Sequence, residues 1–277
     1  MANMRLLLGK VLRLGNVRHG AGAWPPGPAA PVAARDKVLI QGCIVAVMAL
    51  AWAYLFYLDG RILPGTPEEA MAAHCAPADV GLGFLMWSVM MVGMMAGSAM
   101  PAILLFAGAQ ARRGKAALWT HSFLFGSGYA LVWIGFSAVA ALAQAALHNA
   151  ALLSPAMAAS STPLSAAILC MAGIYQLSPF KQACLAHCRS PLGFFLAHWR
   201  DGRLGAIRMG VRHGAYCLGC CWALMLVLFV VGAMNLAWVA ALALLVLLEK
   251  TGPAGMLAAR LAGIALVGWG LALLAGA

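Results

Sequence analysis

Four runs of this 277-residue chain carry no charged side chain: Val38 to Leu58, Val80 to Ala109, Ala116 to Leu147 and Tyr216 to Leu248. A run of that kind has few ways to fold. Away from water every backbone N–H and C=O needs a protein partner, and a helix supplies all of them within the segment. Roughly 20 apolar residues cross a bilayer as a helix, and the last run is long enough for two short helices with a turn between. Charged residues make up 9% of the chain and hydrophobic ones 64%, whereas a soluble domain carries about 25% charged residues. Too little polar surface is left to keep such a chain in water. The expected fold class is all-α: a polytopic integral membrane helix bundle with about seven transmembrane helices plus a short interfacial helix.

The seven spans expected are Val38–Leu58, Val80–Ala109, Leu118–Leu147, Leu164–Ser178, Gly214–Gly232, Leu236–Leu248 and Ala254–Ala275. Residues 1–37 read as a basic cytosolic tail without fixed structure, and residues 38–277 as the transmembrane domain. Charge interrupts the start of the tail every few positions, unlike the apolar core of a signal peptide. The net charge of +11 sits in that tail, in Arg112, Arg113 and Lys115, and between Lys181 and Arg212. The positive-inside rule puts such residues in the cytosol, which orients the N-terminus inside a bacterial inner membrane. Their partner is the lipid bilayer rather than nucleic acid. In "SPLGFFLAHWRDGR", Ser190 is a candidate N-cap and Pro191 opens a helix. Leu192, Phe195, Leu196 and Trp199 then share one face, as an interfacial helix requires.

Three clusters carry candidate chemistry. Met86, Met90 and Met94 recur at i, i+4 and i+8, a thioether stripe widened by Met91 and Met95. Cys184 and Cys188 lie one helical turn apart with His187 beside them, and Cys217, Cys220 and Cys221 follow where a polar stretch turns apolar. Thioethers and thiolates are soft ligands that select Cu(I) over hard cations. Four thiolates suit Zn(II) equally well, and methionine and cysteine also serve as plain apolar filler. Cytosolic thiols stay reduced, so such pairs are metal-binding or catalytic rather than structural disulfides. Outside the membrane, Met71, His74 and Cys75 form a further candidate capture site. Glycines at 210, 214 and 219 let other backbones approach the thiol stretch.

The segments "YQLSPFKQACLAHCRSPLGFF", "GAIRMGVRHGAYCLGCCWALM", "GAMNLAW" and "EK" resemble the bacterial family described as predicted metal-binding integral membrane proteins, a domain of unknown function. The resemblance covers about residues 70–250. It runs through Tyr175, Lys181, Cys184, Cys188, Pro191, Gly214, Tyr216, Cys217, Gly219, Cys220, Cys221, Trp222, Met225, Asn235, Glu249 and Lys250, and through Trp87, Met90, Met94, Met95 and Pro101 in the Met-rich helix. Where the family usually carries a proline after the paired methionines, this chain has Gly97. The resemblance implies membrane location and metal binding, and supplies no reaction.

The expected metal-binding residues are therefore Cys184, Cys188, Cys217, Cys220, Cys221, His187, Met86, Met90 and Met94. The expected function is handling of Cu(I) by a non-enzymatic membrane protein, as a transporter or by delivery to a membrane metalloenzyme or from a copper chaperone. A structural zinc clamp is one alternative. Another is a thiol-disulfide oxidoreductase in which a helix N-terminus and Arg212 favour the Cys217 thiolate beside Cys220.

Overall fold

Alanine, leucine and methionine dominate the uncharged runs, and unbranched or γ-branched side chains of this kind lose little freedom in a helix. In the computed structural model, which describes residues 32–62, 80–153 and 158–276, they form ten helices. These are α1 (Ala34–Ile62), α2 (Val80–Ala111), α3 (Lys115–Asn149), α4 (Thr162–Leu177), α5 (Pro179–Arg189), α6 (Pro191–His198), α7 (Gly202–Leu226), α8 (Leu228–Val231), α9 (Leu236–Thr251) and α10 (Gly255–Ala275). No strand occurs among the described residues beyond an isolated bridge between Leu153 and Ala159. Met71, His74, Cys75 and residues 1–31 of the basic tail lie outside the described residues.

Local chemistry sets the helix ends. Ser161 caps α4 by accepting from the Leu164 amide at 3.3 Å, and Asn235 caps α9 by accepting from Trp238 at 3.4 Å, each satisfying one of the amides a helix start leaves open. Ser178 does the same for α5 through Lys181 N. Pro179 has no N–H with which to continue α4, so the chain bends by 61° between α4 and α5. Ser190 occupies the N-cap position of α6 without a side-chain bond to it. Gly114, before α3, has φ +99°, a left-handed conformation that only glycine adopts at no steric cost.

Five helical stretches are long and apolar enough to cross a membrane: 34–58, 80–111, 115–149, 202–231 and 255–275. The bent α4–α5 pair makes a sixth if it counts as one span. The expected seven is not reached, because α4 and α9 have 16 residues each, about 24 Å of helix. The fifth expected span also starts elsewhere. The helix begins at Gly202 rather than Gly214, so Cys217 lies about 22 Å along α7, not at its mouth.

Packing runs in a chain from α1 to α2, α2 to α3, α3 to α7 and α7 to α5, with α10 lying along α4. The central core joins Met86, Trp87, Met90, Met91, Met94 and Met95 to Tyr129, Trp133, Cys217, Cys220 and Cys221. The Trp87 indole N–H donates to Gln144 Oε1 at 2.7 Å and ties α2 to α3. Gly97 gives room to α1: a Cβ there would meet the Met48 Cε at 3.1 Å. A second core gathers Phe106, Phe125, Phe194, Phe195 and Trp199. This corrects the face expected for α6. Phe194, Phe195 and Trp199 are buried, with Phe195 stacked on Phe106 at 5.5 Å, while Leu192 and Leu196 are exposed. Aromatic rings offer more apolar area to bury than leucine, and they decide which way α6 turns.

Candidate metal centre

The thiols converge because glycines remove the obstacles between helices. Burial on α7 follows Gly205, Ala206, Met209, Gly210, His213, Gly214, Cys217, Cys220 and Cys221, spacings that fall on one helical face. At Gly210 an added Cβ would lie 2.0 Å from Phe125 O, and at Gly128 on α3 it would lie 2.3 Å from Ile207 O. The α3 and α7 backbones therefore touch. On another side of α7, Gly219 faces Cys184, whose Sγ is 2.9 Å from where a Cβ would stand. Tyr175 OH donates to the Gly219 carbonyl.

Four thiols interact pairwise: Cys188 of α5 with Cys217 and Cys220, and Cys221 with the same two. Cys220 and Cys221 each also donate to the Cys217 carbonyl at 3.0 Å. Cys217, Cys220 and Cys221 are buried, and all seven described cysteines are free thiols. Cys184 flanks the group beside Gly219. His187 does not join it; its ring stacks on Tyr216 with centroids 4.2 Å apart. Met86, Met90 and Met94 are buried in the same core, but the methionine tied to the thiols is Met95. As the side chains stand, no three His, Cys, Asp or Glu groups among the described residues are arranged to hold a metal ion. The cluster is a set of thiol contacts rather than a preformed cage.

Its cation is Lys250. The ammonium lies 2.9 Å from Cys217 Sγ, 3.2 Å from Ser98 Oγ and 3.9 Å from Met95 Sδ. Tyr129 OH is 3.0 Å from Cys217 Sγ and donates to Met95 O at 3.1 Å. The neighbouring acid, Glu249, turns elsewhere. It accepts from Lys181 Nζ at 2.6 Å and from Gln176 Nε2, and Lys181 also donates to the Cys220 carbonyl at 2.9 Å. Beyond Met91, Met95 and Tyr129, a cavity of about 490 Å³ opens between α1, α2 and α3.

The metal-binding residues expected from the sequence did not include Lys250, Lys181 or Tyr129. The available signal was charge itself, since ionisable residues in apolar spans are costly and mark function. Cys217 sits in mid-helix, so the positive group beside it is Lys250 rather than a helix N-terminus. One prediction follows locally. Tyr129→Phe keeps the ring and deletes both hydroxyl contacts, so it is expected to cost about 1–2 kcal/mol, measured as denaturant unfolding in mild detergent.

No curated protein and no solved structure matches the chain. A family model described as PpoB2, copper chaperone, matches residues 84–273. That stretch holds the methionine helix, the four thiols, Lys181, Glu249 and Lys250, and the chain belongs to the PpoB2 copper chaperone family.

Proposed function

We propose that this protein carries Cu(I) as cargo in a bacterial inner membrane, held by thiolates of the Cys188, Cys217, Cys220 and Cys221 cluster and passed on to a membrane metalloenzyme. The observation that carries the reading is the Lys250 ammonium against Cys217 Sγ at 2.9 Å. A buried site must stay close to neutral, because desolvating net charge costs several kcal/mol per ion. Cu(I) on two thiolates has a net charge of −1, which one ammonium cancels. Zn(II) on four thiolates has a net charge of −2. A second cation would be needed, and the nearby Lys181 is already paired with Glu249. Charge balance therefore favours copper over the zinc clamp.

Cu(I) also asks for fewer ligands. Two sulfurs suffice for it, so a cluster without three convergent donors is adequate, and a loosely organised site releases cargo more readily than a closed tetrahedral one. Ligation requires deprotonated thiols, and Lys250 compensates the first thiolate before the ion arrives. The buried thioether of Met95 adds a second soft sulfur beside that ammonium, at 3.9 Å. Met86, Met90 and Met94 extend the soft lining along α2 and are proposed as the path along which copper moves. The cytosolic side of the thiols and the inside N-terminus are part of the same proposal, supported by the basic residues Arg203, Arg208 and Arg212 along the first half of α7.

The test is anaerobic titration of the detergent-purified chain with Cu(I) in competition with a chromophoric chelator. One tightly held Cu(I) per chain is expected, lost in the Cys217→Ser/Cys220→Ser/Cys221→Ser variant and weakened by Cys188→Ser. Equal copper binding by wild type and the triple variant refutes the thiol site.

A further inference from the structure

Three of the four thiols are sealed, Cys217, Cys220 and Cys221 at 1–2% exposure, and Cys188 is half-buried. A donor or acceptor molecule cannot touch those three directly, so cargo reaches them from the side of Cys188. Two half-buried imidazoles stand beside the cluster. His187 precedes Cys188 on α5, and His198 ends α6. Their ring centroids are 6.2 Å apart with planes inclined at 51°. The rings also share a neighbour, Tyr216, stacked on His187 at 4.2 Å and 6.1 Å from His198. Tyr216 directly precedes Cys217.

The hydrogen bonds select the ring atom left for a ligand. His187 Nδ1 lies 2.9 Å from Ala183 O, and His198 Nδ1 lies 3.0 Å from Phe194 O. A carbonyl only accepts, so each Nδ1 carries the proton and each Nε2 keeps its lone pair. Metal-binding histidines are commonly oriented in this way, one nitrogen donating to a carbonyl while the other ligates. The bond alone does not mark a site, since His121 makes it too, to Ala117 O at 2.8 Å. What distinguishes His187 and His198 is the second imidazole. Two nitrogens at about 2 Å from one ion are about 4 Å apart, and the ring radii bring the centroids close to the separation observed.

We propose that His187 and His198 form a second copper site, an accessible imidazole pair through which Cu(I) passes to and from the buried thiols. The proposal rests on the copper-handling reading above and names the route of transfer. Imidazole suits copper but holds Cu(I) less well than thiolate, which gives a downhill step from the pair to the sulfurs. His213 extends the line inward. It is buried, its Nδ1 has no partner, its ring lies 5.1 Å from Phe194, and it stands one turn before Cys217.

The experiment is stopped-flow transfer of Cu(I) from a chromophoric chelator complex to the purified full chain. Wild type is compared with His187→Gln/His198→Gln, substitutions that keep a polar end and much of the bulk. Thermal unfolding confirms that the variant is folded, and His121→Gln controls for loss of an unrelated imidazole. Loss of the fast phase of uptake, with the tightly held thiol-bound Cu(I) still reached at equilibrium, is the expected result. Uptake at the wild-type rate in a folded double variant overturns the imidazole route and leaves the thiol site standing. Failure of wild type itself to take up copper overturns both.

Discussion

Lys181→Met is expected to destabilise the protein by about 3–5 kcal/mol, because it strands a buried carboxylate. The Lys181 and Glu249 side chains are 0% and 1% exposed, and Lys181 bridges Glu249 to the Cys220 carbonyl. Removing the lysine leaves Glu249 with Gln176 and no charge partner, and takes from the Cys220 carbonyl its side-chain donor. Lys181→Met/Glu249→Gln is then expected to recover much of the loss, since a neutral amide beside Gln176 removes the uncompensated charge. Thermal and denaturant unfolding in mild detergent read both effects. A single variant as stable as wild type refutes the pair, and a double variant no better than the single places the loss in the Cys220 contact.

The second large effect is steric. Gly128→Ala is expected to cost about 3 kcal/mol, the upper part of the range for overpacking, because its Cβ would meet the Ile207 carbonyl at 2.3 Å. A backbone cannot step aside as a flexible side chain can. Gly135 is the control on the same helix: nothing lies within 4 Å of a Cβ there. Gly135→Ala is thus expected to be neutral, or to gain up to about 1 kcal/mol of helix propensity. Pushing α7 off α3 also parts Tyr129 from Cys217, so Gly128→Ala is expected to weaken Cu(I) binding. Equal stability of the two alanine variants contradicts the close packing of α3 on α7.

The same contact explains what the sequence could and could not disclose. Helices over the uncharged runs were legible, since Val80–Ala111 and Lys115–Asn149 are long and lack charge in their interiors. The start of α7 was not. Its buried positions there are filled by Gly205, Ala206, Gly210 and Gly214, which carry little hydrophobic signal, while Arg203, Arg208 and Arg212 read as a basic loop. The α6 face was misjudged because a count of apolar positions weighs Leu196 like Phe194, whereas aromatic packing against Phe106 and Phe125 decides the orientation. Within the site, the cysteine spacings were visible, each lying within one helix. Lys250, Met95, Tyr129 and Lys181 reach the site from α9, α2, α3 and α5, and no local pattern encodes which helices become neighbours. His198 went unassigned for the same reason, as its imidazole partner is on another helix.

Copper X-ray absorption on the Cu(I)-loaded protein examines the central claim most directly, because it reads the atoms bound to the metal. A shell of sulfur scatterers in wild type, retained in His187→Gln/His198→Gln and lost in Cys217→Ser/Cys220→Ser/Cys221→Ser, is the result expected for cargo held by the buried thiols. A nitrogen and oxygen shell in wild type, unchanged by the cysteine substitutions, contradicts it.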